Sequence, residues 1–395
     1  MPALSIIARA EGLRARSGVL NTAHGPIRTP AFVPLATKGS VRGLSAAEVA
    51  ALGYEMVLGN AFHLFLSPGA ELIAELGGLH GFMGWRGPII TDSGGFQIFS
   101  MGHGTVADEI KGRGGSGPGA ILAIEEQGVR FRSYIDGAER FMGPETSMDV
   151  QRALGSDIVL AFDECTPFHV DRSYTERSAE RTHRWLDRCI AWRAANPHPS
   201  LLYGIVQGGV HEDLRVASAQ AVARSGCDGI AIGGSLGADK QQMEEVVDWT
   251  CAALERTAPD RPRHLLGIGE IDDLINGVEA GIDSFDCAMP TRLARHGTAL
   301  VPAPQERWRL ALDRPAHRRC GQPIMEDCPC PACAAGHSRA YLHQLARARE
   351  LTGARLLTLH NLTFVGAVMR RLREAIEQRR FAQVAEQLRA GGSPY

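Results

Sequence analysis

Lysine is scarce in this chain: of 42 basic residues, only Lys38, Lys111 and Lys240 are lysines. With alanine abundant, that bias towards arginine reflects a GC-rich genome rather than a function. An excess of charge of either sign is also missing. Lysine plus arginine total 42 against 44 aspartates and glutamates, a formal net charge of −2. The overall basic field that is the simplest mark of a nucleic-acid partner is therefore absent. No apolar run approaches the roughly 20 residues of a membrane span, so no membrane association is expected. The opening Met1-Pro2-Ala3-Leu4 leads into a stretch cut by Arg9, Glu11 and Arg14, without the apolar core of a secretory signal. A disulfide framework is not indicated either. The nine cysteines are odd in number and scattered until three gather near residue 330. That usage fits a cytoplasmic protein with a metal site.

What is present is an ordinary globular composition, 44% hydrophobic and 22% charged over 395 residues. Disorder, collagen and coiled coil are excluded as descriptions of the whole chain. Eight short apolar runs stand out: 31–37, 56–60, 89–92, 158–163, 202–207, 229–233, 264–269 and 284–287. They are near-continuous rather than alternating, as parallel strands buried on both faces are. Helix-like segments lie between most of them, at 45–52, 174–192, 212–225, 240–256 and 271–280. Strand and helix alternating in this way predict an α/β fold, a (β/α)8 TIM barrel, in preference to a doubly wound open sheet. Residues 3–28 read as a β hairpin capping the barrel. The glycine-rich segment 102–120 reads as a mobile loop after the third strand. Beyond about residue 300 the pattern changes to prolines, clustered cysteines and two amphipathic helices, 340–352 and 364–389. The expected domains are therefore a barrel, 1–300, and a smaller zinc-binding unit with terminal helices, 301–395.

In such a barrel the active site lies at the carboxyl ends of the strands. Those ends carry Asn60, Asp92-Ser93-Gly94-Gly95, Asp163-Glu164-Cys165, Gln207-Gly208-Gly209, Gly233-Gly234, Gly267-Ile268-Gly269 and Asp286. Carboxylates and an amide converge on one mouth, and the glycines let backbone N–H groups approach a flat ligand. Two carboxylates flanking a scissile bond are the apparatus of glycosyl transfer. A strand-end aspartate that merely caps the next helix is the plainer alternative for any one of them.

A second signal is Cys328-Pro-Cys330-Pro-Ala-Cys333. Three thiols within six positions can wrap a tetrahedral Zn2+, with a distant histidine closing a structural Cys3His site. Spacing leaves His337, His343 and His360 all available. A third signal is hidden in the near-zero charge. From Arg292 to the end there are 17 basic and 8 acidic residues, net +9, which leaves 25 and 36, net −11, in the rest. A basic carboxyl-terminal third can grip phosphates.

Together these motifs resemble the tRNA-guanine transglycosylase family, in its bacterial form. TDSGGFQ (Thr91–Gln97), FDECTPF (Phe162–Phe168), GIVQGG (Gly204–Gly209), HLLGIG (His264–Gly269), FDCAMPTRLAR (Phe285–Arg295), CPCPAC with SRAYLH, and LHNL (Leu359–Leu362) stand in the family's order. The resemblance runs from about Val19 to Arg380. It implies exchange of guanine at the tRNA wobble position for the 7-deazaguanine preQ1, on tRNAs for Asp, Asn, His and Tyr, in queuosine biosynthesis. It implies Asp286 as nucleophile and Asp92 as second carboxylate, acting as general acid and base. Asp163, Gln207 and the Gly234 N–H would read the base, with Asp92, Ser93, Gly94, Gly95, Phe96 and Cys165 in the pocket. RNA contacts would fall on Gly267, Ile268, Gly269, Glu270, Ile271, Asp272 and Asp273, and on Thr291, Arg292, Leu293, Ala294 and Arg295. The zinc ligands would be Cys328, Cys330, Cys333 and His360, in a homodimer.

The sequence departs from the family pattern after the sixth strand, where Gly237 replaces a branched residue if no gap is placed. A wider pocket for a bulkier base such as queuine is the alternative that follows. A non-catalytic tRNA-binding subunit would lack a carboxylate, and both are present.

Overall fold

The computed structural model describes residues 2–102 and 121–395. Residues 103–120, most of the expected glycine-rich loop, lie outside the described residues. Eight parallel strands form the centre: β1 (Ala31–Val33), β2 (Val57–Gly59), β3 (Ile89–Thr91), β4 (Ile158–Leu160), β5 (Leu201–Val206), β6 (Gly229–Ile232), β7 (Arg263–Leu265) and β8 (Ser284–Asp286). Each coincides with one of the eight apolar runs. Their spatial order is β1-β8-β7-β6-β5-β4-β3-β2. A parallel bridge between Leu35 and Leu58, with Ala36 N–H donating to the Leu58 carbonyl at 2.7 Å, joins β1 to β2 and completes the ring. The fold is the expected TIM barrel.

The runs read as continuous because the two faces of each strand meet different cores. Val33, Leu58, Ile90, Ile158, Leu160, Tyr203, Ile205 and Ala231 point inward and pack with Leu4, Leu20 and Ile27 of the amino-terminal segment. Phe32, Val57, Ile89, Val159, Leu202, Val206, Ile230 and Phe285 point outward to the helices. With water on neither side, alternation disappears from the sequence. Tyr203 fills the interior only because residue 229 is glycine; a Cβ there would lie 2.3 Å from its ring.

Three elements differ from expectation. The amino-terminal segment is a three-stranded antiparallel sheet (Leu4–Arg9, Arg16–Thr22, Gly25–Thr29), not a single hairpin. Its last two strands are separated only by Ala23 and His24, so they read as one. A further antiparallel sheet (Ile121–Ile124, Val129–Arg132, Glu139–Met142) follows the β3 helix. Its four-residue strands are too short to show a period. At the carboxyl end, the gap expected between two helices is instead helical. Arg349, at φ 56°, ends a helix over Arg339–Ala348, and Leu351–Glu377 then forms one helix of 27 residues, followed by Phe381–Arg389. Residues Leu356–Leu362 are all buried, Thr358, His360 and Asn361 among them, so this stretch has no solvent-exposed face and no apolar–polar period to read.

The long helix belongs to two cores. Phe364, Val365, Val368 and Leu372 pack into the barrel's outer core, while Leu356 and Leu357 pack with the cysteine-bearing unit. The Tyr54 hydroxyl donates to the Leu362 carbonyl at 2.7 Å. Ion pairs Arg309–Glu270, Arg355–Glu48 and Arg389–Glu279 tie the basic carboxyl-terminal part to the acidic barrel.

The opposite end of the barrel is closed by a buried bidentate pair. The Arg16 guanidinium donates to Asp283 at 2.9 and 2.6 Å, and Asp283 also accepts the Arg263 N–H at 2.7 Å. Asp283→Ala leaves that guanidinium uncompensated and is expected to lower stability by about 3–5 kcal/mol. Replacing both partners with apolar residues (Arg16→Met with Asp283→Leu) is expected to recover part of the loss, since the Arg263 N–H still lacks its acceptor. Equilibrium urea unfolding of the three proteins checks this.

Candidate active site

The strand ends meet as the barrel requires. Asp92 follows β3. Its Oδ1 accepts the Ala61 N–H at 2.8 Å, and its Oδ2 accepts the Gln97 amide at 3.0 Å and the Asn60 amide. Asn60 also caps the helix after β2, accepting the His63 N–H at 2.9 Å, so its own position is fixed. Burial, with repulsion from Asp286 and Asp163, outweighs these donors and raises the Asp92 carboxyl to about 7.

Asp163 stands three residues beyond β4 and is buried. Its Oδ1 accepts from the Ser93 hydroxyl at 2.9 Å and its Oδ2 from the Gln207 amide at 2.6 Å. Burial again dominates and raises this carboxyl to about 6. The Gln207 Oε1 is buried without a partner among the described residues, and a Cβ at Gly234 would lie 2.2 Å from it. Glycine at 234, with φ +78°, is therefore what lets the loop after β6 lie against Gln207. Ser93 also accepts the Gly95 N–H at 3.1 Å. Gly94 and Gly95 are buried, Cys165 half-buried, and Phe96 exposed.

Asp286 ends β8. Its Oδ1 pairs with His264 Nε2 and accepts the Gly267 N–H, both at 3.1 Å. His264 is itself fixed through Nδ1 to the Ser284 hydroxyl at 2.8 Å. Among the described residues no donor bonds Asp286 Oδ2.

The expected RNA-contacting residues separate by exposure. Gly267, Arg292 and Arg295 are exposed; Ile268, Glu270, Asp272 and Leu293 are half-buried. Gly269, Ile271, Asp273, Thr291 and Ala294 are buried and serve packing in this conformation. Glu270 pairs with Arg309, and Asp272 accepts the Trp308 indole N–H at 2.9 Å. Arg42 lies near Arg292 and Arg295: burial first, then repulsion from Arg42 and Arg292, lowers the Arg295 guanidinium.

Sequence reasoning did not assign four contributors. Asn60 was visible as a strand end, and Gln97 and His264 stand inside recognised motifs, but none has a role that spacing reveals. Arg215 gives no local signal at all, since it reads as one more helical arginine. It is fully buried and donates to the carbonyls of Gly209 (2.7 Å), Val206 (3.2 Å), Gly233 (2.8 Å) and Ser235 (2.7 Å). It thereby fastens the loops after β5 and β6 together. Burial lowers its pKa to about 10.

The cysteine cluster is a candidate metal centre. Cys328, Cys330, Cys333 and His360 are all buried, and the three sulfurs lie 3.5, 3.4 and 3.5 Å from His360 Nδ1. A tetrahedral ion with ordinary Zn–S and Zn–N bonds needs about 3.5 Å between such atoms. The Leu300 carbonyl lies 2.8 Å from His360 Nε2 and orients the ring. His343 is engaged by the Leu312 carbonyl at 2.8 Å, and His337 packs on Tyr341. The donor set thus fits one closed structural divalent ion.

The raised Asp92 carboxyl has a thermodynamic consequence. The folded state holds a proton that the unfolded chain, with a pKa near 4, releases. Stability contributed by this group therefore declines as pH rises from about 4 to about 7. Asp92→Asn is expected to be more stable than the parent at pH 8, by the order of 1 kcal/mol, with the difference shrinking towards pH 4. Thermal unfolding at the two pH values checks the sign.

A family model described as queuine tRNA-ribosyltransferase matches residues 11–392. A protein named queuine tRNA-ribosyltransferase from Roseiflexus sp. (strain RS-1) is 50% identical over 97% of this chain and 98% of its own length. One of the same name from Pelotomaculum thermopropionicum is 44% identical over 96% of this chain and 95% of its own. Another, from Aliivibrio fischeri, is 43% identical over 95% and 94%. With the match spanning nearly every residue around the mouth just described, the chain belongs to the queuine tRNA-ribosyltransferase family of pentosyl-transferring enzymes.

Proposed function

We propose that the protein is a tRNA-guanine transglycosylase that exchanges guanine at the wobble position of GUN-anticodon tRNAs for preQ1. The observation that carries this reading is the orientation of Asp286, whose Oδ1 is held by His264 and Gly267 while Oδ2 has no described donor. Oδ2 attacks ribose C1′, and the glycosidic C–N bond breaks with its electron pair going to guanine. Asp92, with a pKa near neutrality, supplies the proton to the departing purine. The incoming base returns a proton to Asp92 and its nitrogen displaces the Asp286 carboxylate from C1′. Two inversions give net retention.

Asp163, Gln207 and Gly234 read the base. The Asp163 carboxylate accepts from the guanine N1–H and amino group, while an amide N–H of Gln207 and the Gly234 N–H donate to O6. The Gln207–Asp163 hydrogen bond opens to admit the base, a reading supported by the Gln207 Oε1, which has no partner among the described residues. An adenine-like base would leave buried groups unpaired. Gly237 supports the smaller base: the nearest atoms to a Cβ there belong to Gln242, at 2.8–2.9 Å, and its φ is +122°. A turn requirement explains that glycine without a widened pocket.

Exposed Arg292, Arg295 and Arg42 are the surface offered to the anticodon stem-loop. Cys328, Cys330, Cys333 and His360 would hold Zn2+ as a structural ion, apart from the carboxylates of the mouth. No described helix is long and apolar enough to cross a membrane, and we place the enzyme with its tRNA in the cytoplasm as a homodimer.

Asp286→Asn is expected to reduce incorporation of labelled guanine into tRNA by at least about 10³-fold, with tRNA affinity nearly unchanged in a filter-binding assay. Retained exchange would remove Asp286 as nucleophile. In competition against labelled guanine, preQ1 is expected to displace it at lower concentration than queuine; the reverse order would assign the bulkier base.

A further inference from the structure

At the amino-terminal end of the barrel, on the side opposite the catalytic mouth, two histidines and an aspartate converge. His24 lies in the turn between the last two strands of the capping sheet, His80 in the helix Gly78–Met83, and Asp157 immediately before β4. We propose that His24, His80 and Asp157 form a binding site for a divalent first-row transition metal, separate from the Cys3His centre.

The donor atoms are already gathered. His24 Nδ1 lies 2.8 Å from Asp157 Oδ1, and His80 Nε2 lies 3.3 Å from Asp157 Oδ2. All three ligand atoms fall within 4.8 Å of one another. The Gly87 carbonyl oxygen lies 3.0 Å from His80 Nε2 and offers a further oxygen beside that ring. The carboxylate is also held from behind. Backbone N–H groups of His24 and Ile89 each donate to it at 2.9 Å, the support that fixes a ligating carboxylate in a metal site.

Access comes from one side. The Asp157 side chain is 0% exposed and that of His80 13%, while that of His24 is 45% exposed. An ion therefore arrives past His24, and its remaining positions face water. The two imidazoles are stacked, centroids 3.7 Å apart and planes at 20°. An imidazole lone pair lies in the ring plane, so both rings turn out of the stack to aim His24 Nδ1 and His80 Nε2 at one ion, with the ring protons carried on His24 Nε2 and His80 Nδ1. Two imidazoles with one carboxylate select Zn2+, Co2+ or Ni2+ over Mg2+ or Ca2+, which prefer all-oxygen shells. A bound ion would link the capping sheet, the helix Gly78–Met83 and the barrel strand in one cluster.

The test is equilibrium dialysis of the full chain against Zn2+, followed by metal analysis, with His24→Ala alongside. His24 lies in a half-exposed turn, so its replacement spares the core. The parent is expected to hold one equivalent more than His24→Ala, whose affinity at this site falls by at least about tenfold. His80→Ala is expected to lose the same equivalent. Co2+-soaked crystals are expected to give an anomalous peak between His24 Nδ1, His80 Nε2 and Asp157. Equal metal content in the parent and His24→Ala, or no peak at that position, would overturn the proposal.

Discussion

The structure depends on keeping carboxylates poorly hydrated yet held by donors at one end of a closed barrel. Water would satisfy Asp92 and Asp163 more cheaply than protein does, which is why burial lifts their carboxyls to about 7 and about 6. The fold resists that penalty with fixed donors: Ala61 N–H, Asn60 and Gln97 for one, Ser93 and Gln207 for the other. Those donors are themselves braced. Gln151 bonds both the N–H and the carbonyl of Leu160, and Ser147 holds the Ser93 carbonyl at 2.7 Å, so the helix Pro144–Leu154 supports the ends of β3 and β4. Arg215 does the same for the loops after β5 and β6.

Much of this was legible because the barrel is a repetitive solution. Eight apolar runs buried on both faces announced eight strands, and strand ends announced which carboxylates gather at the candidate site. Legibility failed where burial is uniform or where a partner is distant in sequence. The helix through Leu356–Leu362 has no solvent-exposed face, so its period vanished. Arg215, His264 and Asn60 act through contacts the chain makes only after closure. Spacing alone left His360 as one of three candidates; the family resemblance pointed to it, and the fold brings its Nδ1 to 3.4–3.5 Å from the three sulfurs.

The near-zero net charge also resolves once the chain is folded. Part of the basic carboxyl-terminal excess is neutralised against the barrel by the pairs Arg309–Glu270, Arg355–Glu48 and Arg389–Glu279. What remains exposed beside the mouth is Arg292 and Arg295, joined by Arg42 from the loop after β1. Three neighbouring guanidiniums thus make a local positive region on a chain whose net charge is only −2.

The most direct measurement of the central claim is the identity of the residue that carries ribose during exchange. Enzyme incubated with tRNA, quenched in denaturant and digested by protease and nuclease, is analysed by mass spectrometry. A ribosyl adduct on the peptide containing Asp286, discharged when free guanine is added before quenching, is the predicted result. An adduct on Asp92, or exchange that proceeds with no covalent enzyme species, would contradict the account.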